Sequence, residues 1–168
     1  MLPYTAQRVG VFVDVQNLYY SARAMYEMNV NFGRLLQEAS NGRQLIRAIA
    51  YVIKSEAPKE QGFFDALSKA GYEVKSKDIQ IFADGQKKGD WDIGIAVDAI
   101  KIADRLDVVV LATGDGDFIP LVTYLRENRG CLVEGVSFER STSAKLLETL
   151  DKFTDLGANP KQFMFRSR

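Results

Sequence analysis

Asp115 and Asp117 stand one residue apart in Thr113-Gly-Asp-Gly-Asp117-Phe118, directly after the apolar run Val108-Val-Val-Leu-Ala112. A β-branched run of this length reads as a buried parallel strand. The carboxyl ends of such strands form the sheet edge where ligands sit in open α/β folds. The earlier run Val9-Gly-Val-Phe-Val13 ends in the same way, in Asp14 followed by Asn17. The chain has no histidine and a single cysteine, Cys131. A zinc ligand set, a Ser-His-Asp triad, a Cys-His pair and a disulfide framework therefore fail for want of residues. Any chemistry falls to carboxylates, most simply through a hard metal ion.

Two further aspartates stand out by position. Asp92 opens a strongly apolar helix, and Asp98 lies six residues further along it. That spacing leaves Asp98 roughly a third of a turn off the face of Asp92, so it ranks below Asp92 as a ligand. Each acid has an ordinary alternative. Asp92, Asp117 and Asn17 fit helix caps, Asp115 fits a turn, and Asp14 fits a strand end. Asp98 within an apolar helix needs either a structural partner or a site. Taken together the acids weigh more than singly, because parallel strands bring their carboxyl ends to one edge. One carboxylate pair at ~5 Å and an effective dielectric of ~20 costs about 3 kcal/mol, which calls for a cation. Oxygen ligands of high charge suit Mg²⁺ or Mn²⁺, and such ions serve phosphodiesterase or phosphatase chemistry.

The elements that must position these acids alternate along the chain. After strand one, residues 17–28 read as a helix with Leu18, Ala22 and Met25 on one face, and Asn31 caps a second helix reaching Ala39. Strand two covers 45–53, and a helix over 58–70 stops at Gly71. Strand three spans 72–82, interrupted near Ser76. A polar loop over 83–90 leads to a helix from Trp91 to Leu106 that is apolar almost all round, which predicts burial on most sides. Strand four is followed by the glycine-aspartate turn and a helix over 118–128, with Pro120 in its first turn. Strand five covers 131–138 and buries Cys131, and a last helix spans 143–153. This order predicts a three-layer α/β fold with a mostly parallel central sheet of about five strands.

A chain of 168 residues, 46% hydrophobic and 26% charged, is read as a single domain over 1–168, with its core over 8–156 and a tail over 157–168. Lysine plus arginine equals aspartate plus glutamate at 22 each, so bulk charge does not advertise a nucleic-acid partner. The opening residues lack a signal peptide's basic flank and apolar stretch, and no run spans a membrane. The expectation is a cytoplasmic protein with no membrane partner. The tail, which mixes aromatic and basic residues, docks on the body, meets another subunit or touches RNA, docking being the reading preferred.

Three segments in order resemble the NYN domains of the LabA-like type, relatives of PIN-domain nucleases. They are Val11-Phe-Val-Asp14-Val-Gln-Asn17, Lys88-Gly-Asp-Trp-Asp92-Ile-Gly-Ile-Ala-Val-Asp98 and Thr113-Gly-Asp115-Gly-Asp117-Phe118. The resemblance implies a PIN-like Rossmannoid sheet, a Mg²⁺ or Mn²⁺ site and hydrolysis of RNA, single strands above all, by metal-activated water. It implies that Asp14, Asp92, Asp115 and Asp117 are the metal-binding acids. Asp14 and Asp115 would hold the principal ion, and Asn17, Asp98 and Thr113 are the secondary polar positions. Lys87 and Lys88 either meet a substrate phosphate or belong to a solvated loop. Trp91 and Phe118 either stack on a base or, as aromatics at helix starts more often do, join the core.

Two rival functions share these residues. Gly114-Asp-Gly-Asp117 also resembles the late acidic motif of haloacid-dehalogenase-type phosphatases. Their acid/base two residues after the strand-one aspartate is replaced here by Gln16. A non-catalytic RNA-binding or regulatory adaptor would keep the same fold, with or without the ion. A homo-oligomer is compatible with either function. Fold alone does not separate these from a nuclease.

Overall fold

Alternation within the strands decides which helices cover which side of the sheet. In β1 (Arg8–Asp14), Val9, Val11 and Val13 point to one face and Phe12 to the other, and all four are buried. The computed structural model describes residues 4–167, with Lys88 by its backbone alone. Met1 to Pro3 of the opening segment, Arg168 of the tail and the Lys88 side chain lie outside the described residues.

After β1 come α1 (Val15–Tyr26), β2 (Asn29–Val30), α2 (Phe32–Ser40), β3 (Gln44–Lys54), α3 (Glu60–Ala70) and β4 (Glu73–Asp78). The chain continues through β5 (Gln80–Ile81), β6 (Lys87–Lys88), α4 (Asp92–Ile102), β7 (Val108–Ala112) and α5 (Ile119–Asn128). It ends with β8 (Leu132–Ser137), α6 (Ala144–Thr149), β9 (Lys152–Asp155), α7 (Pro160–Phe163) and β10 (Met164–Phe165). The central sheet has six strands in the order β4-β3-β1-β7-β8-β9, all paired in parallel. Helices α1, α2 and α3 cover the face of Val9, Val11 and Val13, while α4, α5 and α6 cover the face of Phe12. The fold is thus the three-layer α/β arrangement expected. Among the described residues, no helix is long and apolar enough to cross a membrane.

Three local expectations are corrected, and a fourth, the docked tail, is met. The last helix stops at Thr149, and Lys152–Asp155 adds β9 as a sixth strand. Its single apolar residue, Phe153, carries no alternation, so the strand exists through its pairing with β8. The loop over 83–90 closes a small antiparallel hairpin, β5 with β6. Helix α4 buries Ile95 and Ala99 against the sheet but leaves Ile93 80% and Val97 42% exposed, because no element among the described residues covers its outer side. The tail docks on the body, with β10 pairing antiparallel to β2.

The chain first runs outward from β1 through β3 to β4, then restarts beside β1 at β7 and runs the other way. The reversal falls between β1 and β7. At such a switch point the loops leaving neighbouring strands diverge and open a crevice. Asp14 and the Thr113–Asp117 turn both stand there.

Candidate metal centre

Because β1 and β7 pair with Val13 beside Ala112, the residues that follow each strand are neighbours. Asp14 is the N-cap of α1, its Oδ1 accepting from the Asn17 N–H at 3.4 Å. Its Oδ2 accepts from the Thr113 hydroxyl at 3.3 Å. Thr113 Oγ1 in turn accepts from the Asp115 N–H at 3.3 Å, and Asn17 Oδ1 accepts from the Gly114 N–H at 3.0 Å. Asp115 Oδ1 accepts from the Asp117 N–H at 2.9 Å. The two polar positions Asn17 and Thr113 thus tie the turn after β7 to the start of α1.

Asp92 reaches this turn from the first residue of α4, where it makes no capping bond; its own N–H goes to Asp90 Oδ1 at 3.2 Å. Carboxylate oxygens of Asp92, Asp115 and Asp117 lie within 4.8 Å of one another. Asp14 stands beside this triad, linked to it through Thr113 and by charge. Among the described residues none of these four acids has a lysine or arginine partner. The ion pairs engage Glu73, Asp98, Asp104, Asp107, Glu134 and Asp151 instead.

Burial first, and crowding after it, sets the electrostatics. Burial pushes the Asp14 carboxyl up from 3.8 to about 6; the bonds from Asn17 and Thr113 oppose the rise, and the charges of Asp115 and Asp90 add to it. Asp92 is likewise raised to about 6, by burial first and then by Asp115, Asp14, Asp90 and Asp117. Asp14 and Asp92 thus resist ionisation, and clustered carboxylates without cationic partners are a donor set that a divalent ion would complete.

Asp98 is directed elsewhere. Its Oδ2 accepts from the Tyr51 hydroxyl and from Lys75 Nζ, each at 2.8 Å. Burial pushes its pKa up, but these two bonds outweigh it and leave the carboxyl below its ordinary value. Phe118 is buried in the core. Trp91 packs against Tyr51 with ring centroids 5.2 Å apart and donates its indole N–H to the Val52 carbonyl at 2.8 Å. Lys87 is exposed on the hairpin. Asp90, which raises both Asp14 and Asp92, has no role in the sequence reading. Its place two residues before Asp92 was the available signal.

Gly114 is held where a side chain does not fit. A Cβ there would meet Thr142 Oγ1 at 2.9 Å, Ser137 Oγ at 3.0 Å and the Ser141 carbonyl at 3.2 Å. Thr142 cannot yield freely, since its hydroxyl donates to the Phe138 carbonyl at 2.6 Å. Gly114→Ala is therefore expected to cost ~1–3 kcal/mol through overpacking, read as a melting temperature several degrees lower, and to disturb the turn carrying Asp115.

A model of the NYN domain matches residues 8–157, and the chain belongs to that family. The family carries a PIN-like nuclease fold. The chain is 26% identical over 163 residues to the low amplitude and bright protein LabA of Synechococcus elongatus, spanning 92% of this chain and 87% of LabA. A crystal structure of a protein of unknown function from Vibrio parahaemolyticus superposes with a TM-score of 0.88 at 34% identity. That match covers 98% of this chain and 100% of the other.

Proposed function

We propose that this chain is a metal-dependent ribonuclease. The observation that carries the reading is the approach of Asp92, Asp115 and Asp117 within 4.8 Å, without a cationic partner among the described residues. Three hard oxygen donors, two on a hydrogen-bonded turn and one from the start of α4, fit Mg²⁺ or Mn²⁺. Asp92, Asp115 and Asp117 would hold the ion, while Asp14 fixes the turn through Thr113 and adds a fourth negative charge. When bound, such an ion supplies a water of lowered pKa and neutralises charge developing on the phosphoryl oxygens. Asn17 and Thr113 keep the acids oriented.

Incubation of the protein with a mixed RNA pool, in Mn²⁺ and in EDTA, tests the reading. Shortening of the RNA that EDTA abolishes supports it. A gel shift with intact RNA favours the adaptor. The hairpin lysines have their own test. If they meet phosphates, Lys87→Ala with Lys88→Ala lowers the salt slope of RNA binding by about 0.7 for each phosphate they neutralise. An unchanged slope returns them to the solvated loop.

A further inference from the structure

One side of α1 is spent on the core through Val15, Leu18 and Ala22. Its outer side runs Gln16, Tyr19 and Tyr20, then Arg23 and Ala24, then Glu27, one face at four-residue spacing. This face lines two successive depressions. The first, about 390 Å³, lies between α1, the end of β3 and α3, walled by Tyr19, Tyr20, Val52, Phe63 and Phe64. The second, about 770 Å³, shares Tyr20 and adds Arg23 and Arg166. Tyr20 is 60% exposed and Tyr19 42%, with their rings edge-on at 5.6 Å.

We propose that this face is the binding path for single-stranded RNA. An unstacked base enters the aromatic pocket, and the backbone runs over Tyr20 to Arg23 and Arg166. The proposal rests on the ribonuclease reading and specifies how that site takes its substrate. Three observations select this occupant. The path begins beside Asp14, the N-cap of α1, since the next two residues, Val15 and Gln16, line the first depression. Its walls join an aromatic stretch to a cationic one, the combination that holds single strands. Arg23 and Arg166 form no ion pair among the described residues. Of the two acids along the path, Glu60 is occupied by the Ser55 N–H and hydroxyl, at 2.8 to 3.2 Å, and Glu27 shares the second depression with the two arginines, which outnumber it. The docked tail places Arg166, since β10 pairs with β2 and Ser167 Oγ accepts from Asn29 at 2.6 Å.

Fluorescence anisotropy with a labelled ten-nucleotide oligouridylate in EDTA reads binding without cleavage. Tyr19→Ala with Tyr20→Ala is expected to weaken binding about tenfold or more. Arg23→Ala with Arg166→Ala is expected to lower the salt slope by about 1.4. All four side chains are on the surface, and unchanged melting curves will show that the variants fold. Unaltered affinity and slope in both variants would overturn the path, as would a duplex bound as tightly as the single strand. A concentration-dependent dimer abolished by Tyr20→Ala, with no RNA bound, would overturn it in favour of a second copy of the chain. Mn²⁺-dependent hydrolysis of bis(p-nitrophenyl) phosphate by the wild type reads the acidic centre alone. Its absence, with oligonucleotide binding intact and lost in the variants, sinks the ribonuclease reading and leaves the path standing.

Discussion

Asp92→Asn and Asp117→Ala are each expected to lower Mn²⁺-dependent RNA cleavage by roughly 10²–10³-fold, the scale seen when one preorganised electrostatic group is removed. The same variants should lose most of the thermal stabilisation that Mn²⁺ gives. An ion that binds only the folded state at a hundred times its dissociation constant adds about 2.7 kcal/mol. For a chain of this size that is about 5–10 °C. In EDTA the order should reverse. Asp117 accepts no hydrogen bond from the described residues, while Asp115 caps the turn by accepting from the Asp117 N–H. Truncating Asp117 therefore removes repulsion without removing a cap, and the metal-free variant should melt no lower than the wild type. A drop equal to a lost cap, ~0.5–2 kcal/mol with or without Mn²⁺, would assign Asp117 to local structure. A wild type indifferent to millimolar Mn²⁺ and Mg²⁺ would remove the metal centre.

Metal-free stability is expected to fall as pH rises from about 4 to about 7. Asp14 and Asp92 both have folded-state values near 6 against 3.8 for the free side chain. A group raised on folding contributes its stability fully below the lower value and loses it as pH climbs through the upper one. For Asp14, raised mainly by burial, about 1–3 kcal/mol is at stake. Asp92 is more open to water, so its share is smaller. The acids are coupled, so the loss belongs to the cluster rather than to one residue. Asp14→Asn keeps one acceptor oxygen, for the Asn17 N–H, gives up the acceptor that met the Thr113 hydroxyl, and should flatten the curve because the titrating group is gone. In Mn²⁺ the sign inverts, because the ion competes with protons; the metal-induced rise in melting temperature should grow above pH 6. Melting curves between pH 4 and 8, with Mn²⁺ and with EDTA, measure both slopes. A metal-free curve that is flat or rising across that range would refute the raised values of Asp14 and Asp92.

What could be read from the chain was whatever local pattern determines. The apolar runs that became β1 and β7 announced the acids at their ends, and Asn31 was visible as the cap of α2. Asp92 was legible as a helix-start acid, but not that it leaves the capping bond unmade. The β5–β6 hairpin was missed although it is local, while the other missed strands depend on partners outside their own segment. β9 is a strand because β8 lies beside it. β10 finds β2 across the length of the chain. Asp98 has its partners on β3 and β4, so no spacing within α4 could have placed them. The exposure of Ile93 and Val97 was misjudged for a related reason: an apolar helix is buried only where neighbours exist to cover it.

The two borders of the sheet bear on how copies of this chain can associate. A parallel sheet that ends in bare strands offers unpaired amides as a template for another chain. Here β4 carries Glu73, Lys75, Lys77 and Asp78 in six residues, with Glu73 paired to Arg47 and Lys75 to Asp98. At the other border β9 lasts four residues before Asp155 accepts from the Gly157 N–H and bends the chain away. Strand addition at either border must strip water from charged groups or contend with an edge too short to extend. Growth into edge-joined fibres is thereby opposed at both ends.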